Sequence, residues 1–201
     1  DKALGYLSKA LSISEKVLGK DDPFTATSYD NIGSVYYELG DYDKALEYCS
    51  KALSIDENVL GKDHPETATS YNNIGLVYIK LGDFEKALEY YSNALSIDEN
   101  VLGKDHPETA TSYDSIGLLY VELGDYTKAL DYHLKALSIR EKVLGKDHPS
   151  TATSYNNIGG VYSKLGEYTN GLDYYFKALS ISEKVLGKDD PLIADSYNNI
   201  G

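Results

Sequence analysis

Twenty tyrosines, three histidines in repeated Asp-His-Pro steps, one cysteine and five Gly-Lys-Asp loops are the residues of this 201-residue chain whose types invite chemistry. Each suggests a reaction and each has a plainer reading. A zinc site needs several ligands within about 2–2.3 Å of one ion. His64, His106 and His148 recur at the same phase of a repeat, and equivalent residues on stacked helix pairs stand about 10 Å apart. Two copies put Asp22 and Asp190 at that place. These histidines read as helix-start residues, and no metal site is expected. The Leu-Gly-Lys-Asp loops lack the G-x-x-x-x-G-K-[ST] spacing of a phosphate loop, and no strand pattern precedes them. Cys49 has no activating base nearby in sequence and reads as unreactive. There is no Ser–His–Asp order, no H-E-x-x-H and no carboxylate pair in an apolar setting. The residues predict no enzyme, no catalytic residue and no cofactor.

The tyrosines occupy fixed columns, among them Tyr29, Tyr71, Tyr113, Tyr155 and Tyr197, and Tyr36, Tyr78, Tyr120 and Tyr162. Such regularity is that of aromatic packing with a hydroxyl at the surface. His133 and Cys49 share the column of Tyr91, and His133 reads as half-buried packing.

Those columns belong to a unit of 42 residues. Pro23, Pro65, Pro107, Pro149 and Pro191 mark one phase, and Gly40, Gly82, Gly124 and Gly166 another. Each unit reads as two helices. The first opens at its proline, where a missing N–H costs nothing, with Asp63 and Glu66 at capping-box spacing. Its apolar face runs Ala68, Tyr71, Ile74, Gly75, Tyr78, Leu81. Gly82 ends it, Asp83 caps the second helix, and that helix faces inward through Phe84, Ala87, Leu88, Tyr91, Ala94, Leu95, Ile97 and Val101. A joint of two residues forces an antiparallel hairpin. One hairpin cannot bury both its faces, so neighbours stack. First helices are predicted near 24–39, 66–81, 108–123 and 150–165, and second helices near 42–60, 84–102, 126–144 and 168–186.

The expected architecture is all-α, a right-handed α-solenoid of antiparallel helix hairpins in a single array over 1–201. Residues 1–18 form a partial second helix, 19–60, 61–102, 103–144 and 145–186 are helix-pair repeats, and 187–201 form a partial first helix. Neither end carries a polar cap, which would permit head-to-tail self-association.

Tyr71-x-x-Ile74-Gly75-x-x-Tyr78 followed by Ala87-x-x-x-Tyr91 is similar to the tetratricopeptide repeat (TPR) signature, with Tyr71 in place of the usual Trp. The customary proline after the second helix is Glu99 here, with Glu57, Glu141 and Glu183 as its equivalents. The helix can run on, and the repeat gains Leu-Gly-Lys-Asp-His-Pro-Glu-Thr. This longer unit resembles the TPR of kinesin light chains, whose repeats bind cargo-adaptor peptides. The resemblance implies a non-catalytic scaffold that binds a peptide segment of a partner protein in a concave groove. The alternatives are a structural spacer, a self-assembling array, or the sensor arm of a larger signalling protein.

In that family the polar side of the first helix lines the groove. One column there is Asn31, Asn73, Ser115, Asn157 and Asn199, and its neighbour is Asp30, Asn72, Asp114, Asn156 and Asn198. Rows of amides offer donors and acceptors to an extended peptide backbone, or else bridge neighbouring helices. One turn on stand Ser34, Leu76, Leu118 and Gly160, then Tyr37, Ile79, Val121 and Ser163. Leu76, Leu118, Ile79 and Val121 form an apolar floor, unless the next hairpin covers Leu76 and Leu118. Glu38, Lys80, Glu122 and Lys164 alternate in charge, either for a partner or for one another. TPR grooves that clamp a carboxylate tail carry several cations in these columns, and Asp30, Asp114, Glu38 and Glu122 argue against such a ligand.

A net charge of -13 argues against a nucleic-acid partner and against an anionic membrane surface. A single cysteine fits a reducing, cytoplasmic setting, and no apolar run is long enough for a membrane span.

Overall fold

The start of each first helix is set by a side chain that accepts a backbone N–H just before a proline. In the computed structural model, which describes residues 2–186, 193 and 197–200, that acceptor is a histidine in three repeats. His64 Nδ1 accepts from the Glu66 N–H at 3.2 Å, and His106 and His148 do the same for Glu108 and Ser150. Asp22 takes the role in the first repeat. The capping box expected at Asp63 and Glu66 is therefore one residue displaced, because the ring nitrogen reaches the second N–H of the helix. Asp41, Asp83 and Asp125 cap second helices as expected.

The helices are α1 (Lys2–Val17), α2 (Pro23–Glu38), α3 (Tyr42–Val59), α4 (Pro65–Leu81), α5 (Phe84–Ile97), α6 (Pro107–Glu122), α7 (Tyr126–Val143), α8 (Pro149–Lys164) and α9 (Tyr168–Leu186). Gly40, Gly82, Gly124 and Gly166 follow α2, α4, α6 and α8 with φ of 77°, 76°, 74° and 77°, the left-handed turn that releases the chain into the next helix. One expectation changes. The second helix over 84–102 is α-helical only to Ile97 and finishes in a wider π turn, Asp98–Leu102. The same seven residues, Ser54–Leu60, end α3 as ordinary α-helix and its C-cap, so local sequence does not decide this turn. The expected partial helix at 187–201 lies outside the described residues apart from 193 and 197–200.

The all-α chain forms two compact units of stacked helix hairpins, Asp1–Leu102 and Gly103–Gly201. In unit 1, α2 pairs with α3 and α4 with α5, while α3 packs on α4 and α1 on α2. In unit 2, α6 pairs with α7, α8 with α9, and α7 packs on α8. Cys49, Leu53, Ala68, Tyr71, Ile74, Ala94 and Ile97 form the main core of unit 1. Leu137, Ala152, Tyr155, Ile158, Ala178 and Ile181 form that of unit 2. The first and second helices approach closely where a glycine meets a ring. A Cβ on Gly75 would lie 2.7 Å from Tyr91, and one on Gly117 would lie 2.7 Å from His133.

Two side-chain ties recur that the sequence reading did not assign. Thr25, Thr67, Thr109 and Thr151 are fully buried, and each hydroxyl donates at 2.8 Å to the carbonyl of Gly19, Gly61, Gly103 or Gly145. They knot the loop before each first helix. The tyrosine in the place of the family's Trp donates its hydroxyl to the glutamate in the place of the family's Pro, as Tyr71 does to Glu57 at 2.5 Å and Tyr29 to Glu15 at 2.6 Å. Tyr155 and Glu141 repeat the pair. The two departures from the common repeat are one interaction. It pushes the Tyr29 phenol up to about 12, first through the Glu15 hydrogen bond and then through burial.

Candidate functional site

In unit 1 the polar side of the first helices encloses two adjoining cavities between α2 and α4. The first, of about 130 Å³, is bounded by Ser34, Tyr37, Glu38, Asn73 and Leu76, with Cys49 beneath. Leu76 is 42% exposed, so the neighbouring hairpin does not cover it. The second, of about 260 Å³, is bounded by Thr27, Asp30, Asn31, Asp56, Glu66 and Asn73. Ser34 and Asn73 stand in both walls. Of the predicted residues of unit 1, the cavities thus bring together Asp30, Asn31, Tyr37, Glu38, Asn73 and Leu76. Asn72 and Ile79 are half-buried and Lys80 is exposed, and these three line neither cavity.

The acidic cavity carries unbalanced charge. Ser70 donates to Asp56 Oδ2 at 2.7 Å and reaches Asp30 Oδ2 at 3.3 Å. Asp30 Oδ1 is buried and meets no donor. Burial pushes the Asp30 carboxyl up to about 6 from 3.8, the Asp56 carboxylate adds to the rise, and hydrogen bonds from Asn73, Ser70 and Cys49 oppose it. Asp56 is also raised, by burial first and then by the Glu66 carboxylate, while Ser70 and His64 act the other way. Burial and the neighbouring Asp30 hold the Cys49 thiol up at about 12, which fits the unreactive reading of that residue.

Unit 2 arranges the same columns differently. Asp114, expected on the exposed polar row, is only 6% exposed. Its Oδ1 pairs with His133 Nδ1 at 2.7 Å and its Oδ2 with the Arg140 guanidinium. Arg140 also donates to the Ser154 hydroxyl at 2.7 Å and to Thr111 at 3.4 Å. His133 is fully buried, not half-buried, because Gly117 lets its ring slide against α6. Ser115 turns its hydroxyl back to the Thr111 carbonyl at 3.2 Å. Leu118 is 49% exposed, Val121, Asn156 and Asn157 are half-buried, and Glu122 and Lys164 are exposed. Asn199 is exposed. Among the described residues no ion pair joins Glu38 to Lys80 or Glu122 to Lys164, so the alternating column does not neutralise itself within either unit.

Arg140 and Asp56 were missed in the sequence. Their signal is a column in which Asp56, Asp98 and Arg140 interrupt an otherwise apolar helix face. Tyrosines of two columns stack on one another. Tyr78 lies on Tyr90 and Tyr162 on Tyr174, with centroids 5.5 and 5.6 Å apart. Lys86 lies 4.9 Å over the Tyr78 ring. Among the described residues no three His, Cys, Asp or Glu side chains gather to hold a metal ion, and no helix is long and apolar enough to cross a membrane.

The tetratricopeptide repeat family matches the chain at residues 1–48, 25–92, 66–142, 117–169 and 150–201, and the chain belongs to that family. Its 42-residue repeats are similar in fold to those of the kinesin-light-chain-like structures that follow. BtubC (BKLC) from P. vanneervenii is similar at 28% identity and a TM-score of 0.79, over 94% of this chain and 75% of that one. A Podosopora anserina putative kinesin light chain with nearly identical TPR-like repeats matches at 21% identity and a TM-score of 0.76, over 91% and 86% of the two chains. The apo form of RapI matches at 25% identity and a TM-score of 0.75, over 91% of this chain and 65% of that one. No curated protein matches the chain. As a TPR protein the chain is a protein-interaction scaffold.

Proposed function

We propose that this scaffold is non-catalytic and binds an extended peptide segment of a partner protein along the first-helix faces, as a cargo adaptor does, in a cytoplasmic setting. The observation that carries the reading is the pair of cavities between α2 and α4, with Asn73 in the wall of both. Asn73 is half-buried, close enough to the interior to be held and open enough to be met. An amide there can exchange donor and acceptor with a peptide backbone. Beside it, Leu76 and Tyr37 give an apolar recess for one side chain, and the acidic cavity gives a polar recess for another. Asn157 is the equivalent amide of unit 2. Burial, and next the neighbouring Asp30 carboxylate, hold the one thiol there protonated.

The test is a peptide-library screen against the chain and against Asn73→Ala and Asn157→Ala. The selected peptides are expected to lose at least tenfold in affinity for Asn73→Ala. Peptides that bind both variants as tightly as the parent chain would remove these faces from the reading.

A further inference from the structure

We propose that the acidic cavity of unit 1 takes the guanidinium of an arginine in the partner's peptide, an inference that rests on the peptide-binding reading for its partner. The repeat itself supplies the comparison. Two repeats on, Thr27, Asp30, Asp56 and Ser70 become Thr111, Asp114, Arg140 and Ser154. In unit 2 the arginine's own guanidinium is held by the other three. In unit 1 those three acceptors stand in the same columns, and the cation is missing because Asp56 occupies its place. Where unit 2 seals the position with a side chain, unit 1 has a cavity of about 260 Å³.

Three further features fit a guanidinium. Asp30 stands half-buried in the cavity wall, and its Oδ1 meets no donor. Asp56 and Glu66 add two carboxylates to the same wall, and Glu66 replaces what is Ser150 in unit 2. A guanidinium presents five N–H groups in a planar fork, which can serve Asp30, Asp56 and the Thr27 hydroxyl together, whereas an ammonium is a point charge with three donors. The cavity with Leu76 and Tyr37 adjoins this one through Ser34 and Asn73, so the arginine is expected beside an apolar residue of the peptide.

Two probes test the cavity directly in the full chain. N-acetyl-arginine amide is expected to shift the NMR signals of Asp30, Asp56 and Ser70, and N-acetyl-citrulline amide, its neutral isostere, to leave them in place. Asp30→Asn and Asp56→Asn, which preserve shape, should each weaken the arginine probe at least tenfold. Asp56→Arg, which installs the residue of unit 2, should abolish its binding. In the selected peptides, arginine→citrulline should cost at least tenfold. Equal shifts from both probes, or an arginine probe that still binds Asp30→Asn and Asp56→Arg, overturn the assignment. Peptides that depend on Asn73 and ignore citrulline overturn the arginine and leave the groove standing. An arginine probe that binds at Asp30 when no peptide depends on Asn73 overturns the groove and leaves the cavity's cation preference standing.

Discussion

Unit 1 and unit 2 place a carboxylate at the same point of a first helix, half-buried Asp30 in one and buried Asp114 in the other, and surround it in opposite ways. Asp114 meets Arg140 and His133. Asp30 faces Asp56 and the Cys49 thiol, with only neutral donors to offset the charge. An isolated buried charge is costly unless a partner or a proton neutralises it. Unit 2 solves this inside the fold and closes the space. Unit 1 leaves it to a proton or to a cation from outside, and keeps a cavity. In a repeat protein, exchanging one residue between copies can thus turn a structural position into a binding one without changing a helix.

The sharpest way to break the contrast is to remove the internal cation. Arg140→Met leaves Asp114 buried beside His133 alone, and about 3–5 kcal/mol of stability should be lost in chemical denaturation. A loss under about 1 kcal/mol would mean that the buried pair does not matter to unit 2. Next is acidification of unit 1. The folded value of Asp30, about 6, lies above its unfolded 3.8, so the folded chain holds the extra proton between these limits. Asp30's contribution to the stability of unit 1 should be greatest below about pH 4, fall by about 2–3 kcal/mol as pH rises from about 4 to 6, and stay level above it. Asp56 and Cys49 on α3 and Ser70, Asn73 and Glu66 on α4 are the groups that face this change. Amide exchange of α2 and α4 at pH 4.5 and 7.5 reads it, and Asp30→Asn should shrink the difference to the share that Asp56 contributes.

Smaller effects test what the units share. Gly75→Ala drives a methyl into the Tyr91 ring and should cost about 1–3 kcal/mol, as Gly117→Ala should against His133. Tyr71→Phe and Tyr155→Phe each remove a hydrogen bond to a glutamate and should cost about 1 kcal/mol, equally in the two units. A large difference between the two tyrosines would show that the tie is not a uniform property of the repeat.

Most of the fold was legible because its determinants are local and periodic. The proline, the left-handed glycine and the inward faces recur every 42 residues, and the observed first helices match their predicted spans to within one residue at each end. What escaped depends on contacts between hairpins. Asp114 reads as one more polar residue on a solvated face until α7 brings Arg140 and His133 to it. Asp30 reads the same way until Asp56 and Ser70 are placed beside it. The Tyr–Glu tie was visible only as a constant spacing between two columns, without a reason to connect them. Leu76 and Leu118, whose cover by the next hairpin the sequence left open, are exposed. His64 reads as a helix-start residue in the sequence, and its ring nitrogen stands in for the carboxylate that the capping-box pattern expects of Asp63.

The carboxyl carbon of Asp30, titrated by NMR in the free chain and again with N-acetyl-arginine amide, bears most directly on the claim that unit 1 holds an uncompensated acid open to a cation. A midpoint near 6 that moves down when the probe is added is the expected result. A midpoint near the ordinary value of 3.8 that the probe does not move would contradict it.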